Sequence, residues 1–246
     1  LKETLAAAML AAAGWRGEAA DGLMLDPCCG AGTIPIEAAQ IACRVAPGLA
    51  RRFAFEQLGP FRDQLGVWRE MQSAARARVR RAPVPIHAGD VSFRMTDFAT
   101  RNADRAGVGE AIRFKAGDAL QRPPPAPSGT LMLNPPYGER LAPKGRGSAR
   151  PPSPQRDDRL PAREQPQGAV DTQTFFAQLA THWKRQYAGW TAWVLSPDMK
   201  LPAAMRLKES RRVPMWNGPI ECRLFRFDLV SGSMRERTAP TRDAAA

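Results

Sequence analysis

The chain contains few residues that bind metals or form cross-links: four cysteines, Cys28, Cys29, Cys43 and Cys222, and two histidines. No two of those cysteines have the C-x-x-C spacing, so neither a zinc site nor a disulfide framework is indicated. Reduced thiols in a cytoplasmic protein are expected instead. No apolar run is long enough to cross a bilayer, and no secretory signal precedes the first helical pattern. No G-K-S or G-K-T follows a glycine turn, which argues against a P-loop and a nucleoside triphosphate. No repeat of solenoid length occurs. Acidic residues are scarce beside basic ones, 24 against 36, leaving a net charge of +12. That balance favours a polyanionic partner, RNA or DNA, although an arginine-rich composition alone can produce it. Nothing in the pattern indicates an oligomeric state.

The central stretch runs from Leu23 to Ala39, with the sequence L-M-L-D-P-C-C-G-A-G-T-I-P-I-E-A-A. It predicts a short apolar strand, a turn of small residues and an amphipathic helix. Gly30 and Gly32 allow a sharp turn and a close approach to a ligand. Thr33 is placed to cap the helix, whose first N–H groups favour an anionic or polar ligand atom. Asp26 closes the strand beside that turn. The spacing differs from G-x-G-x-x-G, and any α/β protein can carry a glycine-rich turn of this kind. A second stretch strengthens the case: Thr130 to Arg140, T-L-M-L-N-P-P-Y-G-E-R, is again a strand that ends in polar and rigid residues.

Around these two stretches, strands and helices alternate. A helix from Leu1 to Ala13 ends at Gly14, and the chain opens within that pattern, which predicts a piece of a longer protein. The helix after the glycine turn is expected to reach about Val45. Between Arg51 and Ala82, Phe53, Phe55, Phe61, Leu65, Trp68 and Met71 recur at near-helical spacing and predict one or two helices with packed aromatics. Arg76, Arg78, Arg80 and Arg81 there form either a solvated face or an RNA contact. Strands are expected at Pro83–Ala88, Ala111–Lys115, Thr130–Asn134 and Thr191–Leu195, with helices over Phe93–Ala106 and Asp171–Tyr187. Arg206–Met215 and Glu221–Val230 predict a final strand pair, joined across Trp216-Asn217-Gly218-Pro219. The segment from Ala142 to Val170, rich in Pro, Arg, Ser and Gln, is expected to be a flexible basic insertion, either an RNA-gripping arm or a tolerated loop. Ser231 to Ala246 is expected to be a disordered tail, which leaves 1–230 as one domain.

The fold class expected is α/β, a Rossmann-like, mostly parallel sheet of seven strands with helices on both faces and an antiparallel C-terminal strand pair. In such a sheet Asp26, Asp90, Asp118 and Asn134 close four strands along one edge. A carboxylate closing the second strand suits a ribose diol, which fits Asp90, and Asp118 is placed to accept from an adenine amino group. Each taken alone is equally a turn residue. Asn134-Pro135-Pro136-Tyr137 suits a planar amine: the Asn134 side-chain oxygen and the Pro135 carbonyl can both accept from one NH₂. The two prolines hold the backbone, and Tyr137 can stack on the heterocycle.

Both stretches resemble the class I S-adenosylmethionine-dependent methyltransferases. In detail, D-P-C-C-G-A-G-T-I-P-I-E-A-A and N-P-P-Y-G-E-R-L are similar to the bacterial large-subunit (23S) rRNA guanine-N2 methyltransferases, in which the catalytic domain follows a THUMP domain. The resemblance extends to Leu1-Lys2-Glu3-Thr4-Leu5-Ala6, Arg101-Asn102-Ala103 and Asn217-Gly218-Pro219-Ile220-Glu221-Cys222. It implies that Asp26, Cys28, Gly30, Gly32 and Thr33 cradle the methionine end of S-adenosylmethionine, with Thr4 covering the same site. It also implies that Asp90 takes the ribose and Asp118 the adenine, while Asn134, Pro135, Pro136 and Tyr137 hold a guanine of ribosomal RNA, Asn134 also contributing to the cofactor site. No metal and no membrane enter this picture. Departures are Ala31 in a position usually held by Ser, Pro35 in the first helical turn, and the Ala142–Val170 insertion. N-P-P-Y also occurs in methyltransferases acting on DNA adenine or protein glutamine. Another amino group, including tRNA guanine, and a non-catalytic RNA-binding domain of the same fold are therefore the competing expectations.

Overall fold

A computed structural model describes residues 1–135 and 172–231 of the chain. The expected insertion, Pro136, Tyr137 and nearly all of the expected tail lie outside the described residues. The elements are α1 (Glu3–Ala13), β1 (Met24–Asp26), α2 (Thr33–Ala42), α3 (Leu65–Ala77), β2 (Ile86–Ala88), α4 (Phe93–Arg105) and β3 (Ile112–Phe114). They continue with β4 (Gly129–Leu133), α5 (Thr172–Gln186), β5 (Trp190–Ser196), α6 (Leu201–Met205), β6 (Arg211–Asn217) and β7 (Ile220–Asp228).

The seven strands form one sheet in the order β3-β2-β1-β4-β5-β7-β6. The first five in sequence run parallel, and β7 is antiparallel to both β5 and β6. This is the mostly parallel sheet with an antiparallel finish expected from the alternation, and the Rossmann-like class I methyltransferase arrangement that the resemblance implied. Because the chain winds from β1 out to β3 and then returns to β4, the order reverses between β1 and β4. A crevice therefore opens at the carboxyl ends of those two neighbours.

Side-chain alternation divides the core into two layers. Met24, Ile86 and Met132 face α1, α2 and α4, together with Ala6, Leu10, Ala38 and Ala99. Leu25, Leu131, Val194 and Phe225 face α5 and α6, together with Leu179, Trp183 and Leu201. Gly129 makes room at the start of β4, since a Cβ there would lie 2.6 Å from the Leu23 carbonyl and 2.8 Å from the Trp190 ring. Under α5, the Tyr187 hydroxyl donates to the Arg122 carbonyl at 2.9 Å. Burial pushes the Tyr187 phenol up to about 12, with Arg122 opposing that shift. Ionised tyrosine is thus more costly in the folded than in the unfolded chain, so stability holds below the ordinary phenol pKa and falls as pH climbs toward about 12. Urea titrations on either side of that window are expected to show a shallower alkaline loss in Tyr187→Phe than in the parent chain.

Several boundaries differ from expectation. α2 stops at Ala42, three residues short of Val45, because Arg44 takes a left-handed backbone with φ 57°. The Arg51–Ala82 region forms two short 3-10 turns, Ala54–Gln57 and Gly59–Gln64, followed by α3. Its aromatics do pack, Phe53 and Phe55 each meeting Trp68 edge-on, but no residue of α3 is buried. The near-helical spacing there builds a satellite cluster, not a wall of the core. Arg80 braces this region by donating to the Ala42 carbonyl and to Glu18, whereas Arg76, Arg78 and Arg81 are exposed. The last strand pair is a tight hairpin. Trp216 and Asn217 belong to β6 and only Gly218-Pro219 turns, while Arg206, expected in a strand, ends α6 with φ 49°. β6 and β3 are the two margins of the sheet.

Candidate active site

β1 ends in Asp26, whose carboxylate is 1% exposed and accepts the Cys28 backbone N–H at 3.0 Å. From there the chain folds over the end of β2: the Cys29 N–H donates to the Gly89 carbonyl at 2.7 Å, and the Gly89 N–H returns to the Asp26 carbonyl at 2.9 Å. Gly30 and Gly32 follow with φ 54° and 88°, values that residues bearing a Cβ rarely adopt. Gly32, not Thr33, is the N-cap of α2, and no side chain caps it; Thr33 is the first helical residue. The backbone itself makes the turn, so the Thr33 hydroxyl is not needed for capping. The N–H groups of Thr33 and Ile34 lie outside the ladder of the helix, and Pro35 in the third position has none to satisfy. A Cβ at Gly32 would also stand 3.0 Å from that of Ala99. Gly32→Ala is expected to lose about 1–3 kcal/mol of stability from the left-handed backbone, measurable by chemical denaturation.

Asp90 braces the turn from the neighbouring strand. Its Oδ2 accepts the Gly30 N–H at 3.0 Å and its Oδ1 the Ser92 N–H at 3.0 Å. Each carboxylate oxygen keeps capacity for a further donor. Asp118 is set similarly past β3, accepting the Leu120 N–H at 2.8 Å and the Gln121 side chain at 3.3 Å. Buried among these carboxylates, the Cys29 thiol is pushed well above its ordinary value, first by desolvation and then by Asp26 and Asp90. It stays protonated and is a poor nucleophile.

Asn134 lies just past the end of β4, beside β1. The β1–β4 register pairs Met24 with Thr130 and Leu25 with Leu131, so Asp26 and Asn134 close adjacent parallel strands at one edge. The Asn134 side-chain oxygen is buried and has no hydrogen-bond partner among the described residues. Such an atom is costly unless a ligand donates to it. Pro135 follows and is buried. Thr4 is exposed on the first turn of α1, next to Glu3. Burial and then Glu3 raise the Glu37 carboxyl, which sets that turn beside α2. The described candidates thus converge on the carboxyl edge around β1, with Thr4 at its flank.

Two contributors were not singled out from the residues alone. The Asn102 side chain on α4 donates to the Ala31 carbonyl at 2.8 Å and holds the glycine turn from above. Arg122 carries a half-buried guanidinium at 3.4 Å from both the Ala88 and Lys115 carbonyls, under the ends of β2 and β3. The Asn102 signal was available in Arg101-Asn102-Ala103, whereas Arg122 lies in a proline-rich connector with no pattern to mark it. Among the described residues, no group of three His, Cys, Asp or Glu is arranged to hold a metal, and no helix is long and apolar enough to cross a membrane.

Residues 1–149 match the family model described as RMKL-like, methyltransferase domain. Among curated proteins, the ribosomal RNA large subunit methyltransferase K/L of Shewanella baltica (strain OS185) is 37% identical over 243 residues, covering 97% of this chain and 30% of that protein. The chain therefore spans about a third of the length of that relative. A crystal structure of a predicted N6-adenine-specific DNA methylase from Listeria monocytogenes str. 4b F2365 superposes with a TM-score of 0.71 at 26% identity, covering 92% of this chain and 51% of that one. SMU.472, crystallised with SAH, shares the fold, with a TM-score of 0.73 at 24% identity over 95% of this chain and 53% of that one.

Proposed function

The chain belongs to the RMKL-like methyltransferase domain family, and from that premise we propose that it methylates the exocyclic N2 amine of a guanine in 23S ribosomal RNA, using S-adenosylmethionine. The observation that carries the target assignment is the buried side-chain oxygen of Asn134, without a partner among the described residues, at the crevice between β1 and β4. The Shewanella relative, whose name specifies large-subunit rRNA, and the excess of basic residues support the choice of RNA. Cytoplasmic action on ribosomal RNA follows from the same assignment, with 1–230 acting as the methyltransferase domain.

S-adenosylmethionine supplies, when bound, an electrophilic methyl group on a sulfonium sulfur. The residues present fit it. Buried Asp26 and the Asp90 carboxylate suit a cation and its hydroxyls, and the glycine turn removes side chains where a ligand must approach. Asp26, Cys28, Gly30, Gly32 and Thr33 would hold the methionine portion with Thr4 above, Asp90 the ribose and Asp118 the adenine. The Asn134 side-chain oxygen and the Pro135 carbonyl accept the two N–H bonds of the target amine, which keeps its lone pair from delocalising into the ring. An amide is not a useful base near neutral pH, so Asn134 orients the nitrogen and does not remove its proton. The resemblance assigns Pro136 and Tyr137 to the same grip, in which Tyr137 would stack on the base. The guanine must be unpaired or flipped to reach the crevice.

The likeness to the Listeria protein favours an adenine N6 amine as the second reading. Incubating the chain with labelled cofactor and unmodified large-subunit rRNA, then separating nucleosides by mass spectrometry, distinguishes the two. Label in N2-methylguanosine is expected. Label in N6-methyladenosine would replace the guanine assignment, and none in either would remove both.

A further inference from the structure

We propose that the tip of the β6–β7 hairpin, with the cavity on the same face of β6, binds an unpaired RNA segment flanking the target nucleotide. This rests on the methyltransferase reading above and adds a substrate contact to it. Trp216 is 59% exposed near the end of β6. The register pairs Ser196 of β5 with Arg223 and Trp216 with Glu221, so the hairpin turn projects past the carboxyl end of β5. That is the edge on which Asp26 and Asn134 lie.

Alternation along β6 puts Arg212, Pro214 and Trp216 on one face. The Arg212 guanidinium lies over the Phe225 ring, which fixes this as the face shared with α5 and α6. The same face runs into an open cavity of about 540 Å³ whose cationic lining is Lys200, Arg206, Lys208 and Arg212. Its one acid, Glu209, is paired with Arg212, while Lys200, Arg206 and Lys208 make no ion pair among the described residues. Met199, 40% exposed, follows β5 and is part of the cavity lining.

An exposed indole on the strand face that leads to these cations matches the chemistry of a single strand: the ring stacks on a base while the cations meet phosphates. A duplex hides its base faces and offers Trp216 nothing to stack on. The other arginine-rich surface, around α3, is the weaker candidate. Ala75 and Arg78 border the last turn of α2, the end remote from the glycine turn, so RNA there would be held away from the reacting edge.

The test measures binding of fluorescein-labelled oligouridylate and of an RNA hairpin of equal length by anisotropy, with S-adenosylhomocysteine calorimetry on the same samples. Trp216→Ala is expected to weaken oligouridylate binding by about 5- to 100-fold while leaving hairpin RNA and S-adenosylhomocysteine unaffected. Trp216→Phe should retain most of the affinity, and Lys208→Glu should lower the salt slope by about one. Equal oligouridylate affinity in Trp216→Ala and the parent, with S-adenosylhomocysteine binding intact, overturns the proposal. So does a Trp216→Phe variant as weak as the alanine one. If Trp216→Ala instead abolishes self-association without changing RNA affinity, the tip belongs to a second copy of the chain and the proposal is likewise wrong. A parent chain that binds oligouridylate through Trp216 but fails to bind S-adenosylhomocysteine would sink the methyltransferase reading and leave the RNA surface standing.

Discussion

Asn134→Ala is expected to slow methyl transfer by about 10²- to 10³-fold, the scale seen when one preorganised hydrogen-bonding group is removed from a reacting centre. Affinity for S-adenosylhomocysteine should stay within about twofold, because the side chain acts on the acceptor amine and contributes mainly after both substrates are in place. The physical basis is the Asn134 side-chain acceptor just past β4: its oxygen is buried and has no partner among the described residues, leaving a hydrogen bond that an amine would satisfy. Removing it also relieves a desolvation penalty, so the variant should be no less stable than the parent. Lost activity with retained stability separates a functional group from a structural one. Single-turnover kinetics with labelled cofactor make the measurement, and undiminished transfer would remove Asn134 from the role assigned to it.

Trp190→Ala is expected to destabilise the chain by about 3–5 kcal/mol, the usual range for truncating a buried aromatic. Trp190 is 1% exposed, meets Tyr187 edge-on and donates its indole N–H to the Ala126 carbonyl at 3.1 Å. Its ring also fills the space that Gly129 leaves at the start of β4. The truncation would therefore open a cavity against the strand that carries Asn134 and strand the Ala126 carbonyl. Equilibrium denaturation reads the loss, and a change below about 1 kcal/mol would mean that neighbouring groups collapse into the gap.

Much of the architecture was legible because most of its signals are local. Apolar strands ending in Asp26 and Asn134, each followed by rigid or small residues, mark parallel strand ends whatever their neighbours. The mostly parallel sheet and its antiparallel finish followed from the alternation of elements, whereas the order of the strands came only with the structure. Three features were hidden for physical reasons. The cap of α2 is set by the left-handed backbone of Gly32, which made the Thr33 hydroxyl a misleading signal. The spacing of Phe55, Leu65 and Trp68 is real, yet periodicity cannot distinguish a helix buried in the core from one that packs on its own short turns. The Asp90 brace on Gly30 joins residues 60 positions apart, a contact that no local pattern encodes. At the site, the residues at the described strand ends were recognisable by type. The supports beneath them, Asn102 and Arg122, depend on tertiary approach.

The margins of the sheet have a further consequence. One margin, β3, is three residues long. The other, β6, carries Pro214 at its middle, which removes an amide from the outward row, and two exposed arginines at its start. Neither offers the long, flat, uncharged ladder onto which a foreign strand could zip, so lateral β-augmentation and the aggregation it seeds are disfavoured by construction. A chain built this way can be crowded onto a large polyanion without its sheet being extended by its neighbours.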